Sequence, residues 1–523
     1  MRNLVKKTSL LFSILCLSYF AQAQTLTDAV KLYQYNRFES AKNILIPLAS
    51  GDPMANYYLG LCEIGLENYN GAKAIFQKFP DDPANQAGIA RIFFIENKAP
   101  EAMSMLNSVV GKAKKKNYFP LQYAADAITY TDGGDPNMAV EWYKKAMESE
   151  RTGPLHIGIG DVYRKIQGGG GNAMTNYEYA EQIPAYASLA NFKKGDLWYA
   201  AKNYDSALSN YARANSLDES NPLPYKALAD AYYNIKQYKL SKENIEKYLA
   251  LSDKSIDDQI QYANTLFLAK EYQTAVNKMQ ELIGKGVEKA YMYRVIAFSQ
   301  LELKDYANAK MNMDKFFKKQ DPKKVIPLDY INYGKLMLKD SLKKGEANSY
   351  FEKGIAIDTA SDKAPTYRSI AEAYNDAEEY LNSGIWYKKI IDSNSPSTEA
   401  VDYWWSGVMY YYGKDYANAE AVLNTFAEKY PAEPTAILWQ ARTIETSKDK
   451  EYKNGAATEK YKNWLTMINE DPAKKKDLIK AYTYLSLSAY NMNNKTDALL
   501  YSNKLIAIDP GNSVATQIIS NLK

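Results

Sequence analysis

From residue 25 onward the chain alternates short helical patterns of apolar and small residues with polar breaks, and the spacing predicts paired helices throughout. In residues 25–50, Ala29, Tyr33, Phe38, Ala41 and Leu45 recur at helical intervals, with a break at Asn36 and Arg37 and closure at Gly51-Asp52-Pro53. The pattern is clearest from Asn191 to Lys318, where the sequence superimposes on itself at one constant step. Gly195, Ala229, Ala263 and Ala297 share one position, and Trp198, Tyr232, Leu266 and Gln300 lie three residues later. Tyr204, Tyr238, Tyr272 and Tyr306 follow, then Ala207, Ser241, Ala275 and Ala309. A fixed period of this length predicts a stack of helical hairpins, each covering its neighbour's apolar face, in place of one closed core.

The small residue of the second helix marks 14 units, running from Ala41 through Ala207, Ser241, Ala275 and Ala309 to Ala498. Small residues at the eighth and twentieth positions of a unit let its two helices approach closely, and the ring at the seventeenth fills the space beside the turn. The chain therefore divides into residues 24–190, with irregular third and fifth units, a regular block at 191–318, and residues 319–523 with longer loops. Pro100 disturbs unit three, Gly168 to Gly171 interrupt unit five, and KDKEYKNG lengthens the turn of unit thirteen.

Residues 1–23 change the picture of location. Arg2, Lys6 and Lys7 precede an apolar run from Thr8 to Phe20, and Ala21-Gln22-Ala23 offers small residues for cleavage, the pattern of a secretory signal peptide. No later segment is long and free enough of charge to enter a membrane directly. Cys16 lies inside the apolar run after Leu15 and reads as filler, which leaves Cys62 as the single cysteine of the mature chain. One cysteine forms no internal disulfide, and Cys62 in YYLGLCEIG reads as a buried small hydrophobe.

Composition narrows the function. Lys plus Arg total 65 against 61 acidic residues, so no global field attracts nucleic acid or an anionic surface. The basic run Lys112 to Lys116 lacks interleaved aromatics and reads as a solvated turn. Tyrosine is the outlier, at 46 against 15 Phe and 7 Trp, and rings with a polar tip suit a helix seam or a wet binding surface. His156, the single histidine, reads as an ordinary polar group preceding a helix of unit five. No HExxH, Cys/His cluster or Gly-x-Ser-x-Gly occurs, and Gly168 to Gly171 have no Gly-Lys-Ser/Thr after them. Glu378 and Glu379 fall in a surface turn, and Asp81-Asp82 and Asp257-Asp258 lack the alternating oxygen ligands of a calcium loop. No catalytic group, cofactor or metal is expected.

The register of residues 191–318 and of Val401 to Pro431 resembles the tetratricopeptide repeat (TPR) family, and a looser likeness extends over nearly the whole mature chain. The resemblance implies an all-α, right-handed superhelical solenoid of tetratricopeptide-like hairpins whose first helices line a concave groove for peptides or partner proteins. Family positions five, nine and twelve face that groove. Carried onto this chain, those positions include Asp196 and Asp230, and from them Phe192, Tyr199, Lys226, Tyr233, Asn264, Phe267, Arg294, Phe298, Arg368, Trp404 and Tyr411 are nominated as partner-binding residues. The Tyr, Asn and Lys richness and the start MRNLVKK are similar to exported repeat proteins of Bacteroidota. The resulting expectation is a non-enzymatic periplasmic scaffold, peripheral at the outer membrane, binding a protein or peptide within an envelope or secretion assembly. Two alternatives stand beside it: a module for envelope glycans, whose rings should form a flat row, and a carboxylate-based wall hydrolase.

Overall fold

The computed structural model describes residues 25–522, so the signal-peptide reading of residues 1–23, Cys16 included, lies outside the described residues. Within them the chain is all-α, with 29 helices in consecutive pairs and no strand. The pairs make 14 hairpins followed by a final helix, Ser513–Leu522. Hairpin one joins a helix through residues 25–34 to Phe38–Leu48, and hairpin two joins Pro53–Gly65 to Tyr69–Phe76. The regular block gives hairpin six (Ala187–Ala200, Tyr204–Leu217), seven (Leu223–Asn234, Tyr238–Leu251), eight (Ile256–Leu268, Tyr272–Gly284) and nine (Ala290–Glu302, Tyr306–Lys319).

Two packing rules written in the sequence are visible in space. All 14 small markers of the second helices, from Ala41 to Ala498 with Ser241 and Ser383 among them, are buried. Opposite them, Gly195 lies so close under Tyr211 that an added Cβ would sit 2.5 Å from the ring, and Gly407 meets Leu423 in the same way at 2.6 Å. Cys62 is fully buried and reduced, and burial pushes its thiol up to about 12.

The turns of hairpins six to nine and twelve share a geometry that the hydrophobic pattern does not reveal. Lys202, Lys236, Lys270, Lys304 and Lys414 all adopt positive φ between 59° and 65°. Each stands two residues before a tyrosine that opens the second helix. A left-handed residue reverses the chain within three positions, and here lysine takes the place that glycine often fills.

The described residues divide between 288 and 289 into two compact units. The boundary falls between hairpins eight and nine, inside the regular block. Within each unit, first helices of neighbouring hairpins pack on one another, while second helices pack mainly on the first helices that flank them. First helices thus occupy the tighter, inner side of each stack.

Two local expectations are corrected. His156 lies inside the helix Gly153–Tyr163 and does not precede it, because Pro154 is suited to the first turn and starts the helix early. Its ring is buried beside Tyr179, and burial lowers its pKa. In the same hairpin Gly170 and Gly171 open the second helix, so the extra turn length is confined to residues 164–169.

Candidate functional site: the inner face of the hairpin stack

All eleven nominated residues lie on first helices. Phe192 and Tyr199 are on Ala187–Ala200, Lys226 and Tyr233 on Leu223–Asn234, and Asn264 and Phe267 on Ile256–Leu268. In the second unit, Arg294 and Phe298 are on Ala290–Glu302, Arg368 on Ala364–Asp376, and Trp404 and Tyr411 on Ala400–Tyr412.

The structure brings three of them together. Phe192, Tyr199 and Lys226 line one cavity of about 290 Å³ with Asp196, Tyr211 and Asp230, and Asn36 from the turn of hairpin one forms part of the same wall. The rings at the twelfth position share a different arrangement. Tyr199 meets Tyr204, Tyr233 meets Tyr238, Phe267 meets Tyr272 and Tyr411 meets Tyr416, with centroids 5.6–5.9 Å apart and planes inclined by 53–70°. Each groove ring is therefore braced edge-on by the tyrosine that opens its own second helix. Tyr233 still leaves 46% of its surface exposed, whereas Phe298 is buried.

The three nominated cations are engaged within the chain. Lys226 Nζ lies 2.6 Å from Asp258. Arg294 meets Asp329 through Nε and Nη2, both at 2.7 Å, and Arg368 meets Asp402 through Nε at 2.9 Å and Nη2 at 2.7 Å. Asp329 and Asp402 are fully buried, and each also accepts a backbone N–H at the start of its own helix, from Ile326 and Glu399 respectively, at 2.9 Å. Each aspartate thus caps one first helix and ties it to the first helix before it. Asp258 follows the same plan with Ser255, and although burial opposes it, the bonds from Lys226 and Ser255 hold its carboxyl below the usual range.

A ladder of aspartates, which the repeat register nominates only in part, runs along the inner face of residues 25–288. Asp126 accepts the Tyr143 hydroxyl at 2.5 Å, Asp161 the Tyr177 hydroxyl at 2.7 Å and Asp196 the Tyr211 hydroxyl at 3.0 Å. Lys193 approaches Asp161 at 2.9 Å, and Arg164 stands 3.7 Å from Asp196. Burial pushes the Asp126 carboxyl up to about 6, against the pull of the Arg91 guanidinium. The signal was present in the sequence: in three successive hairpins a tyrosine, where the family pattern has phenylalanine, follows an aspartate at a separation of 17, 16 and then 15.

The inner face of residues 25–288 is also partly closed. Hairpin one reaches the loops that follow hairpins six and seven, where the Tyr35 hydroxyl donates to Asp218 and Lys31 lies 3.6 Å from the same carboxylate. Asp253 accepts the backbone N–H groups of Glu39 and Ser40 at 3.0 and 3.2 Å, the Ser40 hydroxyl at 2.5 Å and Arg37 Nε at 3.4 Å. Arg37 is the N-cap residue of Phe38–Leu48 and offers no acceptor, so a carboxylate from the far end of hairpin seven caps that helix.

In residues 289–523 the rings gather over hairpins eleven to thirteen. Trp404 packs on Trp405 at 4.5 Å, and its Nε1 is buried with no hydrogen-bond partner. Tyr411 and Tyr412 both meet Trp439, at 5.4 and 6.0 Å, and Tyr412 also meets Tyr380 at 5.7 Å. Tyr412 is 51% exposed. Among the described residues no group of three or more His, Cys, Asp or Glu side chains is placed to hold a metal ion, and no helix is long and apolar enough to cross a membrane.

The tetratricopeptide repeat family model matches residues 403–432, the core of hairpin twelve. No curated protein matches the chain. Among solved structures, the chain is similar to the C-terminal part of a TPR repeat-containing protein from Cytophaga hutchinsonii, with 25% identity, TM-score 0.39, and 50% of this chain and 98% of that one covered. A tetratricopeptide repeat protein from Parabacteroides merdae aligns with 19% identity, TM-score 0.32 and coverage of 50% and 98%. The APC/C hetero-tetramer Cut9–Hcn1 aligns with 14% identity, TM-score 0.27 and coverage of 97% and 98%. With TM-scores this low, the assignment to tetratricopeptide-like hairpins rests on the matched hairpin and on the register and helix pairing already described.

Proposed function

From the premise of a tetratricopeptide-type repeat scaffold, we propose that this chain is a non-enzymatic adaptor that holds a protein segment against its first helices, exported to the periplasm and serving an envelope assembly. The observation that carries the reading is the ring cluster of hairpins eleven to thirteen, where Tyr411, Tyr412 and Trp439 stand together and Tyr412 is half exposed. Tyr and Trp are the residue types that concentrate binding energy at protein interfaces. Tyr411 and Tyr412 meet Trp439 at 74° and 68°, and the two tyrosines meet each other at 79°. A glycan module calls for protein rings in one flat row, and rings inclined this steeply do not make one, which favours a protein segment. Export is supported by the n-region, apolar run and Ala-Gln-Ala of residues 1–23.

Affinity capture from solubilised envelopes, with the parent chain and Tyr411→Ala/Tyr412→Ala compared side by side, tests the reading. A stoichiometric partner recovered by the parent and lost by the variant, with helicity unchanged, is the expected result. Equal recovery by both removes this face from the proposal. N-terminal sequencing of the fractionated protein tests export: a mature start at Gln24 in the periplasmic fraction is expected, and an intact Met1 in the cytoplasm overturns it.

A further inference from the structure

The cavity between hairpins six and seven has a definite chemistry. Phe192, Tyr199 and Tyr211 contribute rings, and Asp196 and Asp230 contribute carboxylates. Lys226 also lines it, but its ammonium is paired with Asp258 at 2.6 Å and forms no direct ion pair with Asp230. Asp196 has the Tyr211 hydroxyl and the more distant Arg164. Asp230 has only a neutral donor, the Gln261 amide at 2.5 Å, and no ion pair with it forms among the described residues. A partly buried carboxylate without a direct ion pair costs solvation: burial raises the pKa of both Asp196 and Asp230, and the more distant charges of Lys193 and Arg164 on the first and Lys226 on the second offset it only in part. A cation entering between the rings would relieve that cost and gain from the ring faces as well. Cavities for drug-sized molecules run from about 300 to 1,000 Å³, so about 290 Å³ suits one long side chain.

Resting on the scaffold reading above, we propose that this cavity receives the guanidinium or ammonium end of an arginine or lysine side chain from the bound protein segment, with Asp230 as counter-charge and Tyr199 as a wall. Asn36 from the turn of hairpin one completes one part of the wall, so seating of hairpin one narrows the site that hairpins six and seven form.

Blocked tripeptides, acetyl-Gly-X-Gly amide with X as Arg, Lys, Gln or Glu, titrated into the full chain by NMR provide the test. The Arg or Lys peptide, or both, should bind and the Gln and Glu peptides should not; the Arg and Lys titrations tell guanidinium from ammonium. Asp230→Asn should weaken the cationic peptide by at least about tenfold, the scale of a charge-assisted hydrogen bond. Tyr199→Leu should weaken it as well. Binding of the Gln peptide as tight as that of Arg, or Arg binding unchanged in Asp230→Asn, overturns the proposal. Should Asp230→Asn fail to fold, the Arg-against-Gln contrast and Tyr199→Leu decide, and less than a twofold change in the latter overturns it. The envelope capture depends on Tyr411 and Tyr412, so the adaptor reading and the cavity can fail separately.

Discussion

Replacing Asp253 by alanine should release the first hairpin while leaving the rest of the stack folded. Its carboxylate is the only side-chain cap seen on Phe38–Leu48, since Arg37 at the N-cap makes no capping bond. Losing an N-cap costs about 0.5–2 kcal/mol, typically near 1. The hydroxyl bond from Ser40 adds about 1 kcal/mol, and the half-screened pair with Arg37, whose partners are 31% and 20% exposed, adds about 0.5. The sum, about 2–3 kcal/mol, corresponds to a 30- to 150-fold shift in the docking equilibrium, because each 1.4 kcal/mol is a factor of ten.

Native-state hydrogen exchange reads this shift directly. The amides of residues 38–48 should lose protection by that factor in Asp253→Ala, while amides in Tyr238–Leu251 keep theirs. Asparagine caps almost as well as aspartate, so Asp253→Asn should lose only the smaller, ionic part. Protection of residues 38–48 within threefold of the parent in the alanine variant refutes the cap. Equal losses throughout residues 25–288 refute the local character of the contact.

Three further outcomes are expected. Asp402→Ala should destabilise residues 289–523 by about 3 kcal/mol in denaturant unfolding, since it strips a fully buried carboxylate from Arg368 and from the start of its own helix, and a loss under 1 kcal/mol contradicts the role. Gly195→Val should cost about 1–3 kcal/mol and lower the melting temperature, because even a Cβ would stand 2.5 Å from the Tyr211 ring. Asp126, raised from 3.8 to about 6 by burial, favours the folded state fully below pH 4 and loses that contribution as pH rises through 6. Asp126→Asn, which still accepts the Tyr143 hydroxyl, should therefore gain on the parent by about 2–2.5 kcal/mol between pH 4 and pH 8, and a pH-independent difference contradicts the shift.

The fold was legible because its determinants are local and repeated. Ala207, Ser241, Ala275 and Ala309 are small for one steric reason that recurs once per hairpin, and each is buried where the period puts it. The positive-φ lysines of the turns were less visible, since lysine carries no conformational signature, and His156 falls inside its helix because Pro154 starts that helix early, a signal that apolar spacing does not carry. The closure of hairpin one on Asp218 and Asp253 was invisible in principle. It depends on how far seven hairpins curl, a sum of small rotations that no short window of sequence contains.

The same distinction governs the inner face. Register can say that Lys226, Arg294 and Arg368 stand on first helices, but whether a cation is free for a partner depends on the residue opposite it. Asp258, Asp329 and Asp402 each lie near the start of the next-but-one helix, and each takes that charge. Asp126, Asp161 and Asp196 are likewise met by tyrosine hydroxyls from their own hairpins. Once those internal pairs are set aside, recognition is left to few groups: Asp230 and Tyr199 at their cavity, the rings of Tyr233 and Tyr411, and Tyr412, which the register does not nominate. Repeat register therefore locates the face, and the pairing between successive hairpins decides which of its residues can answer a partner.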